Sequence, residues 1–435
     1  MSLTLLTQLA DIPASQWDAL TPNAQPFMRH AFLSALEESG SVSRATGWQP
    51  QHLLWCEGDK VLAAMPGYTK THSMGEYVFD HAWAEASQRA RIPYYPKWLS
   101  AVPFSPVSGA RLLGNEHAGA RLLQALPQFL EQQALYSAHI NFSDARVHQH
   151  LAGDERWLPR LGCQYHWHNR GFRDFQDFLD LLTSRKRKQL RKERELVASQ
   201  GVEFAWYEGA QLSETQWDFI YDCYANTYLV RGRQPYLTRL FFSLLAQNMP
   251  AAIRVVIASQ GVEFAWYEGA QLSEAQWDFI YDCYANTYLV RGRQPYLTRL
   301  FFSLLAQSMP AAIRVIIASQ HGDPVAMAFS LVDGDTLYGR YWGCLEEFNR
   351  LHFETCFWQG MEYAIAHGLQ RFDAGAQGEH KLIRGFEPVL TESWHRLRHP
   401  GLHDAVADFL QQERDGVRAW AVEARSALPW RQSLA

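Results

Sequence analysis

Between positions 379 and 384 a carboxylate, an imidazole, an ammonium and a guanidinium fall almost side by side: Glu379, His380, Lys381 and Arg384. They follow Gly375-Ala376-Gln377-Gly378, which opens a loop, and they stand between apolar strands. A turn needs no such cluster, and burying one is costly, so these four residues are the leading candidates for chemistry. His380 titrates closest to neutrality and suits proton transfer, with Glu379 as the other candidate. Lys381 and Arg384 suit an oxyanion or a carboxylate. A metal is not expected. His166 and His168 share one face of a strand, but nothing nearby supplies a third ligand at a recognisable spacing, so both are expected to be solvated.

The elements that must hold this loop are legible. Thr336 to Cys344 is a β-branched and aromatic run after an Asp-Gly-Asp turn, which predicts a strand. Alternation sends Tyr338 and Arg340 to one face, and together with Tyr341 they are candidate substrate contacts. An inward Arg340 needs a partner, which Glu354 or Asp373 would provide. Phe353, Phe357, Met361, Ala364 and Ile365 recur at helical spacing, and Gly368 stands where a helix ends. Arg371 to Ala374 reads as a short strand. Further upstream, Lys70, His72, Glu76 and Asp80 lie in a polar loop and are candidates for lining a ligand, since binding residues concentrate on loops. Tyr94-Tyr95-Pro96-Lys97 reads as a rigid aromatic stretch that packs.

Composition narrows the field. A chain of 435 residues is too long for one ordinary domain, so two are expected, 1–171 and 172–435. The formal net charge of −5 gives no global field toward nucleic acid, so any polyanion site must be local. One local candidate exists. Ser184 to Glu195 carries seven basic residues against two acidic ones on a predicted helix. Like charges crowd there at a cost, so Arg185, Arg187, Lys188 and Arg191 are candidate contacts for phosphate or tRNA. The six cysteines form no Cys-x-x-Cys pair, which points to a reduced, cytoplasmic protein. Neither a signal peptide nor a membrane span is expected.

Gly201 to Gln260 recurs as Gly261 to Gln320, identical except at Thr215/Ala275, Asn248/Ser308 and Val256/Ile316. Two copies do not make a solenoid. Ala-Ser-Gln at 198–200, 258–260 and 318–320 marks a tandem duplication across a short match. Each copy reads as strand, helix, helix, strand. The second copy meets the next strand through a short loop, so 261–435 is expected to build the domain while 201–260 docks alongside or remains partly exposed. Surplus strands also carry a risk of swapped dimers. The oligomeric state is not legible. Arg291 and Tyr296, in the turn between the second copy's helices, are further candidate substrate contacts.

The phrases YGRYWGC, LHFE, GAQGEHK and RGFEPV, with KTHSMGEYVFDHAWA, YYPK and PFSPVSGARLL in the first half, resemble bacterial Fem-like (FemAB-like) proteins of the GNAT acyltransferase superfamily. The resemblance extends over most of the chain. It implies an α/β (α+β) fold of two tandem GNAT-like domains, each a mixed sheet flanked by helices, the second carrying the duplicated segment. It implies an N-acyltransferase of peptidoglycan biosynthesis that moves an acyl or aminoacyl group to an amine on a small molecule or peptide. No tightly bound cofactor is implied; the co-substrate is acyl-CoA or aminoacyl-tRNA. Standard acetyl-CoA enzymes of the superfamily cradle pyrophosphate in a glycine-rich loop before a helix. Here the corresponding Leu345-Glu346-Glu347-Phe348-Asn349-Arg350 lacks glycine and carries two acids, which leaves aminoacyl-tRNA as the alternative donor. The competing class is a non-catalytic module that keeps the fold and binds RNA or peptide.

Overall fold

The computed structural model describes residues 1–21, 25–199, 202–229, 234–260, 313–320, 323–344, 350–375 and 378–431. Its strands are β1 (Ser2–Leu6), β2 (Trp48–Pro50), β3 (His52–Glu57), β4 (Lys60–Met65), β5 (Tyr68–Lys70), β6 (Lys97–Ser100), β7 (Leu113–Gly114), β8 (Ser137–Ile140) and β9 (Leu158–His168). Then come β10 (Val202–Glu208), β11 (Ile253–Gln260), β12 (Ile313–Gln320), β13 (Asp323–Asp333), β14 (Thr336–Cys344), β15 (Arg371–Asp373) and β16 (Glu387–Leu397). The chain divides into two compact units. The first holds Met1–Glu37, Val42–Gln164 and Val389–Glu423; the second holds Glu38–Ser41, Tyr165–Pro388 and Ala424–Ala435. The expected boundary at Gly171 differs from this partition in that Val389–Glu423 returns to the first unit. A periodicity reading follows the chain in order and has no signal for such a return.

In the first unit β1, β3, β4 and β7 form one antiparallel sheet. A second set contains β2, β5, β6 and β8, with β6 and β8 parallel from Trp98/Ala138 to Ser100/Ile140. The helix Glu116–Gln132 explains its own placement. Asn115 caps it by accepting the Ala118 amide at 3.1 Å, and Leu122, Leu126, Phe129 and Leu130 form its buried stripe. That stripe closes on Leu53, Met65, Trp98, Ile140 and Trp394 as one apolar core. Several of these side chains are wholly buried, each removal from water worth about 1.5–3 kcal/mol.

The second unit repeats the plan. β13 and β14 are antiparallel, β14 and β15 are parallel, and β15 is antiparallel to the end of β9. Both units are therefore mixed sheets, each with a parallel pair among antiparallel strands, flanked by helices, in keeping with tandem GNAT-like domains.

The duplicated segment corrects one expectation. β11 of the first copy pairs with β13, with Ile253 opposite Leu331 and Val256 opposite Ala328. β12 of the second copy is set against the same strand in the same register, with Ile313 opposite Leu331 and Ile316 opposite Ala328. One strand edge has one set of N–H and C=O groups, so the copies are rivals for it. The first copy is not docked alongside or left partly exposed, the expected arrangement, but built into the sheet and its helical layer. β10 pairs along β11 from Val202/Gln260 to Glu208/Arg254. Its helices Glu214–Leu229 and Arg239–Asn248 are buried, with Trp217 and Phe242 against Phe329. The buried Arg239 guanidinium binds Asp218 at 2.6 Å and fixes one helix to the other. Loop closure is symmetric between the copies: seating the second shortens the join to β13 but lengthens the join to Ser199. Loop closure costs only about 0.6 kcal/mol per doubling of length, so neither copy gains.

Removing 201–260 or 261–320 is accordingly expected to leave the same folded domain. The two deletion proteins differ only at the Thr215/Ala275, Asn248/Ser308 and Val256/Ile316 pairs, so their stabilities should lie within about 2 kcal/mol of one another. Urea unfolding of both measures this, and collapse of one deletion alone would show that the copies are not equivalent.

Candidate functional site

β14 and β15 are paired only from Thr336/Arg371 to Tyr338/Asp373. β14 then runs on paired with β13 alone, which leaves its other edge free of β15. Arg340 fastens that transition. Its Nη2 binds Asp373 Oδ2 at 2.6 Å, its Nη1 reaches Asp373 Oδ1 at 3.3 Å, and the Gly375 amide donates to Oδ1 at 2.9 Å. Both side chains are buried. Burial alone would raise the Asp373 carboxyl; the Arg340 charge and its hydrogen bonds hold it well below the usual carboxylate range. Of the two partners expected for Arg340, Asp373 is the one chosen. Glu354 instead binds Arg194. His166 is also buried here, 3.8 Å from Asp373, because β15 covers the end of β9. It is not the solvated strand histidine expected, and burial holds its imidazole neutral, lowered to about 4.

Past β15 the chain turns through Gly378, at φ +119, into a 3-10 turn, Glu379–Arg384. A side chain at Gly378 would collide with the His380 ring at 2.2 Å, so glycine is required for the imidazole to fold back there. The four candidates of this turn diverge. Lys381 is buried and donates to the Ala374 and Gly375 carbonyls, each at 2.7 Å. Burial lowers its ammonium to about 8 against the nearby Asp373 charge. Two of its three N–H groups are used in this way, which leaves one for a ligand oxygen. His380 packs against Phe353 and Phe357, each with centroids 5.7 Å away. His380 is exposed at one edge, yet the partial burial of its ring, then Lys381 and Arg384, push its imidazole down, so it is neutral near pH 7 and free to accept a proton. Glu379 is exposed. Arg384 is buried, stacks 3.6 Å over the Phe353 ring, pairs with Glu193 at 2.9 Å and donates to the His380 carbonyl. It positions His380 and does not line the cavity.

That cavity, about 210 Å³, is walled by Trp206, Phe329, Trp342, Phe357 and Phe372. Arg340, His352, Cys356, His380 and Lys381 bring polar atoms to it. Tyr338 is buried beneath Arg340, its ring 5.2 Å from the guanidinium. The side chain of Tyr341 lies outside the described residues, as do Arg291 and Tyr296 and the segment 345–349. His352 and Cys356 were missed in the sequence. Their i, i+4 spacing was present, but the π-helical turn Glu354–Trp358 that aims them was not legible.

The basic helix is Ser184–Ser199. Glu193 holds Arg350 at 2.7 Å and Arg384, and Arg194 holds Glu354 and Glu362, so its last turns are fastened to the site. Arg187 pairs with Asp180. Arg185, Lys188 and Arg191 are exposed, and with Lys192 they lie on one face at helical spacing. None of these four makes an ion pair among the described residues.

In the first unit the polar loop turns inward. Lys97 Nζ binds Glu76 Oε2 at 2.8 Å, Asp80 Oδ2 at 2.5 Å and Ser73 Oγ at 2.9 Å, and the Tyr94 hydroxyl donates to Asp80. All of these groups are buried. Lys70 is buried too, 3.6 Å over the Trp48 ring, and burial pushes its ammonium down. His72, half-buried, meets Lys70 and the Thr46 carbonyl, and burial lowers it to about 4. Lys97, read in the sequence as part of a packing stretch, is the centre of this cluster. The candidates Lys70, Glu76 and Asp80 are thus brought together, around an internal charge and not around an open surface.

A family model described as peptidoglycan biosynthesis/recognition, FemAB-like, matches residues 8–261 and again 254–432, so each match contains one copy of the duplicated segment. No curated protein sequence matches the chain. Among solved structures, FemX is similar at 12% identity, covering 94% of this chain and 100% of its own, with a TM-score of 0.47. The C-terminal domain of a lysylphosphatidylglycerol synthetase from Agrobacterium fabrum is similar at 10% identity, covering 93% and 94%, with a TM-score of 0.46. A tandem GNAT protein from the clavulanic acid biosynthesis pathway follows at 9% identity, covering 92% and 99%, with a TM-score of 0.36.

Proposed function

The chain belongs to the FemAB-like family, and we propose that it is an N-acyltransferase acting on an amine of a small-molecule or peptide acceptor in cell-wall metabolism. The observation that carries the reading is the cavity beside the parallel pair, where a neutral imidazole and a buried ammonium face one apolar space. Acyl transfer to an amine needs a base for the amine proton and a cation or donor for the oxyanion. His380 takes the proton and Lys381 holds the oxyanion. The aromatic walls exclude water and hold the acyl group in line. Arg340 stays paired to Asp373 and keeps the strand ends apart.

The donor is an aminoacyl-tRNA in preference to acyl-CoA, and the reaction is cytoplasmic. Support for the donor comes from the exposed face of Arg185, Lys188 and Arg191 on a helix fastened to the site by Glu193 and Arg194. Binding of aminoacyl-tRNA across a salt series tests it. Changing Arg185, Lys188 and Arg191 to alanine is expected to lower the slope of log K against log salt by about 2, at roughly 0.7 per lost phosphate contact on single strands. An unchanged slope removes tRNA from the reading, and tight acetyl-CoA binding in its place makes the enzyme a CoA-dependent one. No helix among the described residues is long and apolar enough to cross a membrane.

A further inference from the structure

We propose that Cys356 carries the acyl group covalently, taking it from the donor as a thioester and passing it to the amine, with His352 as the base for the thiol. The inference rests on the transferase reading above and adds a two-step course to it.

Three observations converge. Cys356 Sγ lies 3.4 Å from His352 Nδ1, within reach of a thiol hydrogen bond. Both residues line the cavity that Lys381 and His380 also line, so nucleophile, base and oxyanion cation share one space. The backbone that presents Cys356 is a π-helical turn, a rare conformation that recurs at functional sites. The His352 ring is held between Trp342 and Phe357, with centroids 5.2 and 5.6 Å away. Of the described cysteines, Cys56, Cys163, Cys223 and Cys344 do not line the cavity. Burial pushes the Cys356 thiol up, so it rests protonated and needs the imidazole at the moment of attack, as a serine nucleophile does.

The steps balance. Cys356 sulfur attacks the acyl carbonyl carbon, forming S–C. The thiol proton passes to His352. The bond from carbon to the carrier's oxygen or sulfur breaks, and the carrier leaves with that proton. The acceptor nitrogen then attacks the thioester, C–N forms and S–C breaks. One amine proton passes to His380, and a proton returns from His380 through His352 to the departing sulfur, which restores the thiol and leaves both imidazoles neutral. No oxidant or further reactant takes part.

The full chain is mixed with p-nitrophenyl acetate, acetyl-CoA or aminoacyl-tRNA, quenched in acid and mapped by peptide mass spectrometry. The expected result is one acyl group on the peptide containing Cys356, released by neutral hydroxylamine and absent from Cys356→Ala. His352→Gln is expected to slow its formation about a hundredfold, while iodoacetamide still reaches Cys356. Cys356→Ser, whose folding circular dichroism checks, should lose the thioester as well. Absence of an adduct from all three donors in folded protein overturns the proposal, as does its placement on another residue. Turnover onto an amine at the wild-type rate by Cys356→Ala also overturns it and leaves the transferase reading standing. Acylation of Cys356 followed only by hydrolysis would sink transfer to an amine and keep the carrier.

Discussion

Lys381→Gln is expected to cut transfer by about a hundredfold to a thousandfold, the usual worth of one oxyanion donor, with little change in tRNA binding. The ammonium lines the cavity, is buried and is oriented by two carbonyls, so no water can replace it cheaply. The pH profile separates its role from that of a base. As a cation it acts only while protonated, so the rate should fall as pH rises through about 8. That alkaline limb should vanish in Lys381→Gln. The acid limb belongs to His380, whose lowered imidazole must be neutral to accept a proton, so it lies below the ordinary 6.5. A rate that climbs through pH 8 would make Lys381 the base and reverse the two roles. A protein whose binding survives Lys381→Gln and His380→Gln, and which shows no turnover at any pH, would be the binding module.

The second large effect concerns stability. Lys97→Met is expected to destabilise the first unit by about 3–5 kcal/mol, because it strands two buried carboxylates. Asp80 Oδ1 and Glu76 Oε1 have no hydrogen-bond partner among the described residues, so there is little reserve. Restoring neutrality with Glu76→Gln in the same protein should recover part of the loss, and urea unfolding measures both. The pH dependence follows from the same groups. Burial raises Glu76 from 4.5 to about 7, so the folded state holds that proton more tightly than the unfolded chain. Its contribution is full below pH 4.5 and is lost as pH rises through 7. Asp80 is lowered below 3.8 by the Lys97 charge and hydrogen bonds, in spite of its burial. Its contribution is present above 3.8 and is lost as pH falls further. The margin of the wild-type protein over the Lys97→Met variant should therefore open above pH 3.8 and be widest above about pH 7, where both carboxylates are charged. A margin that does not change with pH would remove the cluster from the account of stability.

Local pattern carried a good deal of this. The 3–4 spacing of Phe353, Phe357, Met361 and Ala364 gave the site helix, and the β-branched run at 336–344 gave β14. Glycine and charge together marked the turn at 379–384. The phrases of the second half named the family. Arg340 was expected to need an acid, and Asp373 is that acid. These are properties of a residue and its near neighbours, which periodicity and composition report directly.

The tertiary structure decided what depends on distance across the chain. It chose Asp373 over Glu354, because pairing of β14 with β15 brings residues 340 and 373 together. It turned Glu76 and Asp80 inward onto Lys97 of strand β6, and it buried Lys70, opposite Lys97 in the β5–β6 register, over the Trp48 ring. It buried His166 under β15. It set Cys356 against His352 and both against Lys381, through a π-helical turn that no spacing announces. It set strands of both copies, β11 and β12, against β13 in one register, since identical sequences make identical contacts and loop entropy varies too slowly with length to choose between them. Sequence determines which groups a protein has; which of them share a low-dielectric space, and so shift one another's charge, is fixed only when distant segments pack.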